Sequence, residues 1–327
     1  MSIDKTPATN KELKTDRHSV LKNSELIKSL GIEYGNVLNR SSLIKMLKEL
    51  KEMSSVSEML SLNKFVYYLT DYFDYFEEVS VTSVHGKVIK RYVSTYNPVS
   101  PYEIALSIYS NAFLSHYSAI FAHDLTLNNP KTIYINREQT KKPVNKENAQ
   151  LTQRKVDYAF NKEMRRSNNI YKFKYNNESF EVIALNGKNT NNLGINNIKI
   201  INFSKKVRVT NIERSLIDIT VRPQYSGGVI EVLEAFYRAK DVANTERVLN
   251  YLEKIDYIYP YQKSIMFYMI RSGYPASDVN KFKNLNIDTD SINFYLDYQI
   301  IGKTLDSDLG IFYPKELDNL NIENLTD

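Results

Sequence analysis

Cysteine is absent from all 327 residues, which removes disulfide frameworks, thiolate zinc sites and cysteine nucleophiles together and fits a reducing compartment. No run approaches the roughly 18 uninterrupted apolar residues of a spanning helix. The opening MSIDKTPATNKELKTDRHSV lacks the apolar stretch of a secretory signal. The expectation is a cytoplasmic protein with no membrane partner. Glycine-rich phosphate loops, G-x-S-x-G elbows and H-E-x-x-H pairs are also missing. His116 and His123 stand seven apart on one expected helix with a single nearby carboxylate, Asp124, which is not the i,i+4 spacing of a helical metal pair. Asp288 and Asp290 lack the Gly-Ser that precedes the paired carboxylates of nucleotidyl transfer and read as an acidic loop. The expectation is therefore no metal, no cofactor and no catalytic residue: a protein that acts by binding.

What the chain does have is enough apolar material to fold. It is 42% hydrophobic, 12% aromatic and 25% charged, the make-up of a globular protein and not of a disordered one. Its length exceeds what one core usually fills, so two or three domains are expected. The net charge of +5 is small but unevenly placed. Residues 137–172 hold ten Lys/Arg against four Asp/Glu, and residues 285–327 hold two against nine. A basic middle can face phosphates where the acidic end cannot, and the plain alternative is two solvated faces of opposite sign.

Periodicity predicts α+β organisation: an N-terminal winged helix-turn-helix, then a mixed α/β domain with a helical C-terminal part. Residues 1–40 read as a polar, loosely held arm with one short helix ended by Gly31. Residues 41–97 read as the winged helix. Ser41 caps a helix with Leu43, Ile44, Met46, Leu47 and Leu50 on one face. Ser55 and Glu58 form a capping box opening a second helix. A third starts at Asn63, and EVSVTSVHGKVIKRYV gives two strands turning at His85-Gly86. Pro98 and Pro101 mark the next boundary. Residues 98–209 should be mixed α/β, with a buried helix over YEIALSIYSNAFLSHYSAIFAHD, a strand at KTIYINRE, a hairpin turning at Asn176 and Asn177, and strands at IKIINFS and KKVRVT. Residues 210–327 should be mainly helical.

Lys45, Lys48, Lys64, Lys87, Lys90 and Arg91 are the residues with which the first domain would meet duplex DNA, the last three exposed on the ribbon; such contacts supply most sequence-independent affinity. They can equally be a solvated face. Asp71, Asp74, Glu77 and Glu78 load the far half of the third helix with negative charge.

The most distinctive text is VRVTNIERSLIDITVRPQYSGGVIEVLEAFYRAK. A strand leads into Glu213, Arg214, Ser215, Leu216, Ile217 and Asp218, then Arg222, Pro223, Tyr225, Gly227 and Gly228. Upstream, FLSHYSAIFAHDLTLNNPKTIYINRE carries an L-S-H-x-S-A helix. Together these motifs resemble the AbiEi family of antitoxins over about residues 105–270. The resemblance implies a regulator that represses its own promoter through an N-terminal winged helix. It also implies a C-terminal domain that counteracts a nucleotidyltransferase toxin of a type IV toxin-antitoxin system without a stable complex. The acidic third helix departs from the basic helix-turn-helix usual at the front of such proteins. The same motif residues also have structural readings: Thr210 and Glu213 as a capping box, Arg214 and Asp218 as a surface i,i+4 pair, and Ser226 as a helix cap. A protein-interaction module that does not bind DNA is the alternative function, and an enzyme acting on nucleic acid comes third.

Overall fold

Residues 10–33 form two helices where a polar arm with one short helix is expected. The computed structural model describes residues 10–141, 151–285 and 289–320, with side chains from residue 16. It starts with α1 (Asn10–Lys22) and α2 (Ser24–Glu33), which bury Val20, Ile27 and Leu30. Gly31 lies inside α2 instead of ending it. A Cβ there would come within 2.1 Å of the Tyr96 hydroxyl, so the glycine makes room for a ring.

After β1 (Val37–Leu38), α3 (Arg40–Glu52) is capped by Asn39, whose side chain accepts the Ser42 N–H, and not by Ser41. Leu43, Met46, Leu47 and Leu50 are buried as expected, while Ile44 is half-exposed. No helix opens at Ser55–Glu58, because the Ser55 N–H bonds back to the Leu50 carbonyl and closes α3 instead. Ser61 caps α4 (Leu62–Tyr67), which widens into one π-turn at Tyr68–Tyr72 and stops. The expected hairpin follows: β2 (Phe76–Ser83) pairs antiparallel with β3 (Val88–Ser94).

The long helix expected over residues 102–124 is instead α5 (Pro101–Leu106), β4 (Phe113–Leu114) and α6 (Tyr117–Ala122). Asn111 and His116 have positive φ, which a continuing helix cannot contain. The strand β5 (Thr132–Glu138) stands where expected, followed by α7 (Gln153–Phe160). Next come β6 (Ile170–Tyr175) and β7 (Glu178–Gly187), joined at Asn176 and Asn177 with φ of 50° and 62°, the backbone a two-residue hairpin turn demands. Only Ile198 of IKIINFS is in a strand, at the end of β8 (Ile195–Ile198); β9 is Val207–Thr210. Then come α8 (Ile212–Val221), α9 (Val229–Ala239), α10 (Thr245–Ile255), α11 (Tyr261–Arg271) and α12 (Ala276–Asn280). A small sheet closes the chain, with β12 (Ile311–Pro314) parallel to β10 (Phe294–Tyr295) and antiparallel to β11 (Lys303–Asp306). Asp288 lies outside the described residues.

The molecule is thus mixed α+β. It forms two compact units: residues up to Ser110 with 171–181 and 199–206, and residues 111–170, 182–198 and 207 onward. The expected border at 97/98 falls inside the first unit, which keeps α5. Within the first unit the strand order is β1-β3-β2-β6 with the opening residues of β7, over a core of Ile27, Leu43, Met46, Phe65 and Phe76. Within the second it is the rest of β7, then β5-β4-β9-β8, and the core is built on Leu216, Val232, Phe236, Leu252, Ile265 and Tyr268.

Candidate functional site

Helix α8 carries the distinctive motif, and every residue from Glu213 to Thr220 is buried. Its apolar side faces the core through Leu216, Ile217 and Ile219. Its polar residues are therefore desolvated and must find partners inside the protein. The capping-box reading is corrected: Asn211 is the cap, accepting the Arg214 N–H at 3.0 Å, and the Thr210 hydroxyl meets Ser215 instead. Glu213 turns to the start of α10, where its carboxylate accepts the Asn244 N–H at 3.1 Å and an Arg247 N–H at 3.2 Å. Arg214 and Asp218 do pair, at 2.8 Å, but with side chains only 5% and 6% exposed. The surface-pair reading is corrected too. Arg214 also donates to the Thr190 hydroxyl and the Leu193 carbonyl.

The turn after α8 has its own framework. Arg222 ends the helix, donates to the Tyr298 hydroxyl at 2.6 Å and lies over that ring. Pro223 opens a single 3-10 turn, and its carbonyl accepts the Gly228 N–H. The Tyr225 hydroxyl accepts the Ser167 N–H at 2.9 Å. Ser226 does not cap α9: its hydroxyl is buried without a partner, and Gly228 precedes the helix at φ 97°, ψ −175°. That region of backbone space is essentially glycine's alone. Gly227, at φ 86°, lies against Glu231.

These residues open onto a cleft of about 390 Å³ in the second unit. Arg214, Asp218, Arg222 and Tyr225 line it, and the upstream motif adds His116. Arg165, Arg166 and Lys188 complete a lining with five cationic side chains and one carboxylate. Arg165 and Arg166 are exposed, while Lys188 is anchored on the carbonyls of Ile255 and Asp256. Asn136, Leu185 and Tyr257 fill the wall.

His116 has an unusual setting. It is buried at φ 51°, ψ −129°, a strained conformation for a side-chain-bearing residue. Ser115 Oγ lies 2.9 Å from its Nδ1, and the Tyr225 ring meets it edge-on at 5.6 Å. Burial pushes its pKa down to about 4; the Asp218 carboxylate pulls the other way and Arg214 and Arg222 add to the fall. The ring is neutral near pH 7. Ser115 is fully buried and does not line the cleft, so the pair orients the imidazole and presents no nucleophile. Asp218 keeps one oxygen, Oδ2, buried with no hydrogen-bond partner.

His116 and His123 do not share a helix. They flank α6 as its two caps, and His123 bonds the Thr210 carbonyl through Nε2. Among the described residues no group of three or more His, Asp or Glu side chains could hold a metal ion.

The basic residues of the first unit are dispersed. Lys45 and Lys87 are exposed. Lys48 pairs with Glu52, Lys64 with Asp16 and Lys90 with Glu78. Arg91 is corrected: it is 7% exposed, with its guanidinium bound to the hydroxyl and carbonyl of Ser107. Strand alternation is the reason, since Arg91 stands opposite the buried Val79 on the inward face while Lys90 points out.

Sequence reasoning found the motif residues but assigned them structural roles. It placed Arg165 and Arg166 only in a basic stretch, and it missed Asn136, Lys188 and Tyr257, which carry no local signal and reach the cleft through folding alone.

No family model and no curated protein matches the chain. In fold it is similar to the crystal structure of RV2827C protein from Mycobacterium tuberculosis, at a TM-score of 0.51 with 12% sequence identity, over 89% of this chain and 90% of that one. Among the described residues no helix is long and apolar enough to cross a membrane.

Proposed function

We propose that the protein is a cytoplasmic DNA-binding regulator and antitoxin of the AbiEi type, acting by binding and not by chemistry. Its first unit is a winged helix that represses the operon from which it is expressed. Its second unit counteracts a nucleotidyltransferase toxin without a lasting complex. The observation that carries this reading is convergence: His116 from the upstream motif and Arg214, Asp218, Arg222 and Tyr225 from the second line one cleft.

For DNA, helices followed by the β2–β3 hairpin support the winged-helix reading. Lys45, Lys48, Lys87 and Lys90 are its contact set, Lys64 being held by buried Asp16 and Arg91 being internal. The exposed pairs of Lys48 and Lys90 are weak enough for phosphate to displace. The test is a gel shift on DNA from upstream of the gene, beside growth rescue on co-expression with an adjacent nucleotidyltransferase gene. Sequence-preferring binding that falls in the Lys45→Ala/Lys87→Ala/Lys90→Ala variant is expected. The hold of buried Asp16 on Lys64 and the burial of Arg91 withdraw two of the six basic residues and favour a second reading, a protein-interaction module. Rescue with no DNA binding at any salt concentration would select it.

A further inference from the structure

We propose that the motif cleft of the second unit is a nucleotide site, in which arginines take the phosphate and Asp218 accepts a hydrogen bond from a ribose hydroxyl or base amine. Three observations meet there.

The first is charge in a concave place. Five cations face one carboxylate around a space within the range of small-molecule sites. Arg165 and Arg166 are exposed at it, and neither has an ion pair among the described residues. Guanidinium forks match the oxygens of a phosphate.

The second is the orphaned acceptor. Asp218 Oδ1 is held by Arg214, but Oδ2 is buried without a donor, a state that costs stability in the empty protein. Inorganic phosphate can meet it only through a P–OH proton, while its anionic oxygens are repelled by the carboxylate. A ligand that carries donors as well as negative charge satisfies both sides of the cleft, and a nucleotide has both.

The third is a wall prepared for a planar group. His116, held in strained backbone, presents its ring beside Tyr225, and its Nε2 has no hydrogen-bond partner among the described residues. Asn136 gives its carbonyl oxygen to the Gly187 N–H, which leaves its amide NH₂ for an acceptor on the ligand. Aromatic edges and amides of this kind read the face and rim of a base.

The phosphate can come from free nucleotide or from the end of a nucleic-acid strand, and the experiment separates the two. The full chain is titrated calorimetrically with AMP, GMP, CMP and UMP, with inorganic pyrophosphate, and with a 5′-phosphorylated trinucleotide. At least one mononucleotide should bind more tightly than pyrophosphate. In Arg165→Gln/Arg166→Gln its affinity should fall by about ten-fold or more, with the melting temperature of the unliganded protein unchanged because both side chains are exposed. Asp218→Asn should weaken the mononucleotide and strengthen pyrophosphate, a reversal that misfolding does not produce. Tighter binding of the trinucleotide than of any mononucleotide places the ligand at a strand end; the opposite order places it in the free pool. No binding up to about 1 mM, or equal binding by the double variant, overturns the proposal. Pyrophosphate binding as tightly as every mononucleotide also overturns it. The Lys45→Ala/Lys87→Ala/Lys90→Ala variant should bind nucleotide normally, so failure here and failure of DNA binding are distinguishable.

Discussion

His116 joins backbone strain, burial and a lowered pKa in one residue. Its folded pKa of about 4 lies below the ordinary 6.5, so the unfolded chain binds the proton more readily. The stability this contributes is complete above pH 6.5 and is lost as pH falls toward 4, up to roughly 3 kcal/mol. His123, lowered first by its own burial, acts in the same direction. His116→Gln cannot titrate, so its urea-unfolding free energy should fall less than that of the native protein between pH 7 and pH 4.5. Parallel curves would remove His116 from the acid response. Glu213 gives a second prediction. It holds the start of α10 and not its own helix, so Glu213→Ala should cost about 1–3 kcal/mol, and Arg247→Ala should cost less, since Arg247 is half-exposed. Equal losses in thermal unfolding would mean that the ion pair, and not the Asn244 N–H, carries the effect.

Buried α8 governs the second unit because its polar residues anchor what surrounds it. Arg214 fastens the loop at Thr190 and Leu193, Glu213 fastens α10, and Thr220 returns its hydroxyl to the Leu216 carbonyl. The turn that leaves α8 is fixed by Gly228, whose φ of 97° no side-chain-bearing residue adopts cheaply. Gly228→Ala meets no neighbouring atom, so its penalty is purely conformational. It should destabilise by about 1–3 kcal/mol. Chemical denaturation within a few tenths of the native value would show that the turn relaxes. The Asn176-Asn177 turn has the converse property: Asn177→Gly fits the same backbone better and should raise stability by less than about 1 kcal/mol.

Taken whole, the molecule separates two kinds of positive charge. In the first unit lysines stand on the surface, some of them, such as Lys48 and Lys90, paired with nearby carboxylates; in the second, arginines surround a cleft. The two should respond to salt differently. DNA affinity should fall linearly with the logarithm of salt concentration, and the slope should flatten by about one unit per phosphate contact removed from the lysine set. Purified protein with magnesium or manganese should show no nuclease, nucleotidyltransferase or nucleotide-hydrolysing turnover. Turnover abolished in a folded Asp218→Ala variant would make the cleft an active site and replace the binding reading.

Strand β5, the β2–β3 and β6–β7 hairpins and the helical character of the stretch that holds α8 to α11 were legible because their signals are local. Apolar periodicity, paired asparagines and β-branched runs act within a few residues. The motif itself was legible as text. Its burial was not: an i,i+4 Arg-Asp pair looks the same on a surface helix as on a central one, and neighbours such as α9, α10 and α11 decide which it is. The same holds for Arg91, which strand register turned inward, and for residues 102–124, where positive φ at Asn111 and His116 divides an apolar run that reads as one helix. The cleft is the clearest case. Asn136, Arg165, Lys188, Arg214 and Tyr257 come from separate stretches of chain, and no local signal states that they meet. Side-chain type and spacing follow from the covalent chain, whereas burial, and with it the strength of every charge and hydrogen bond, depends on which distant segments exclude water.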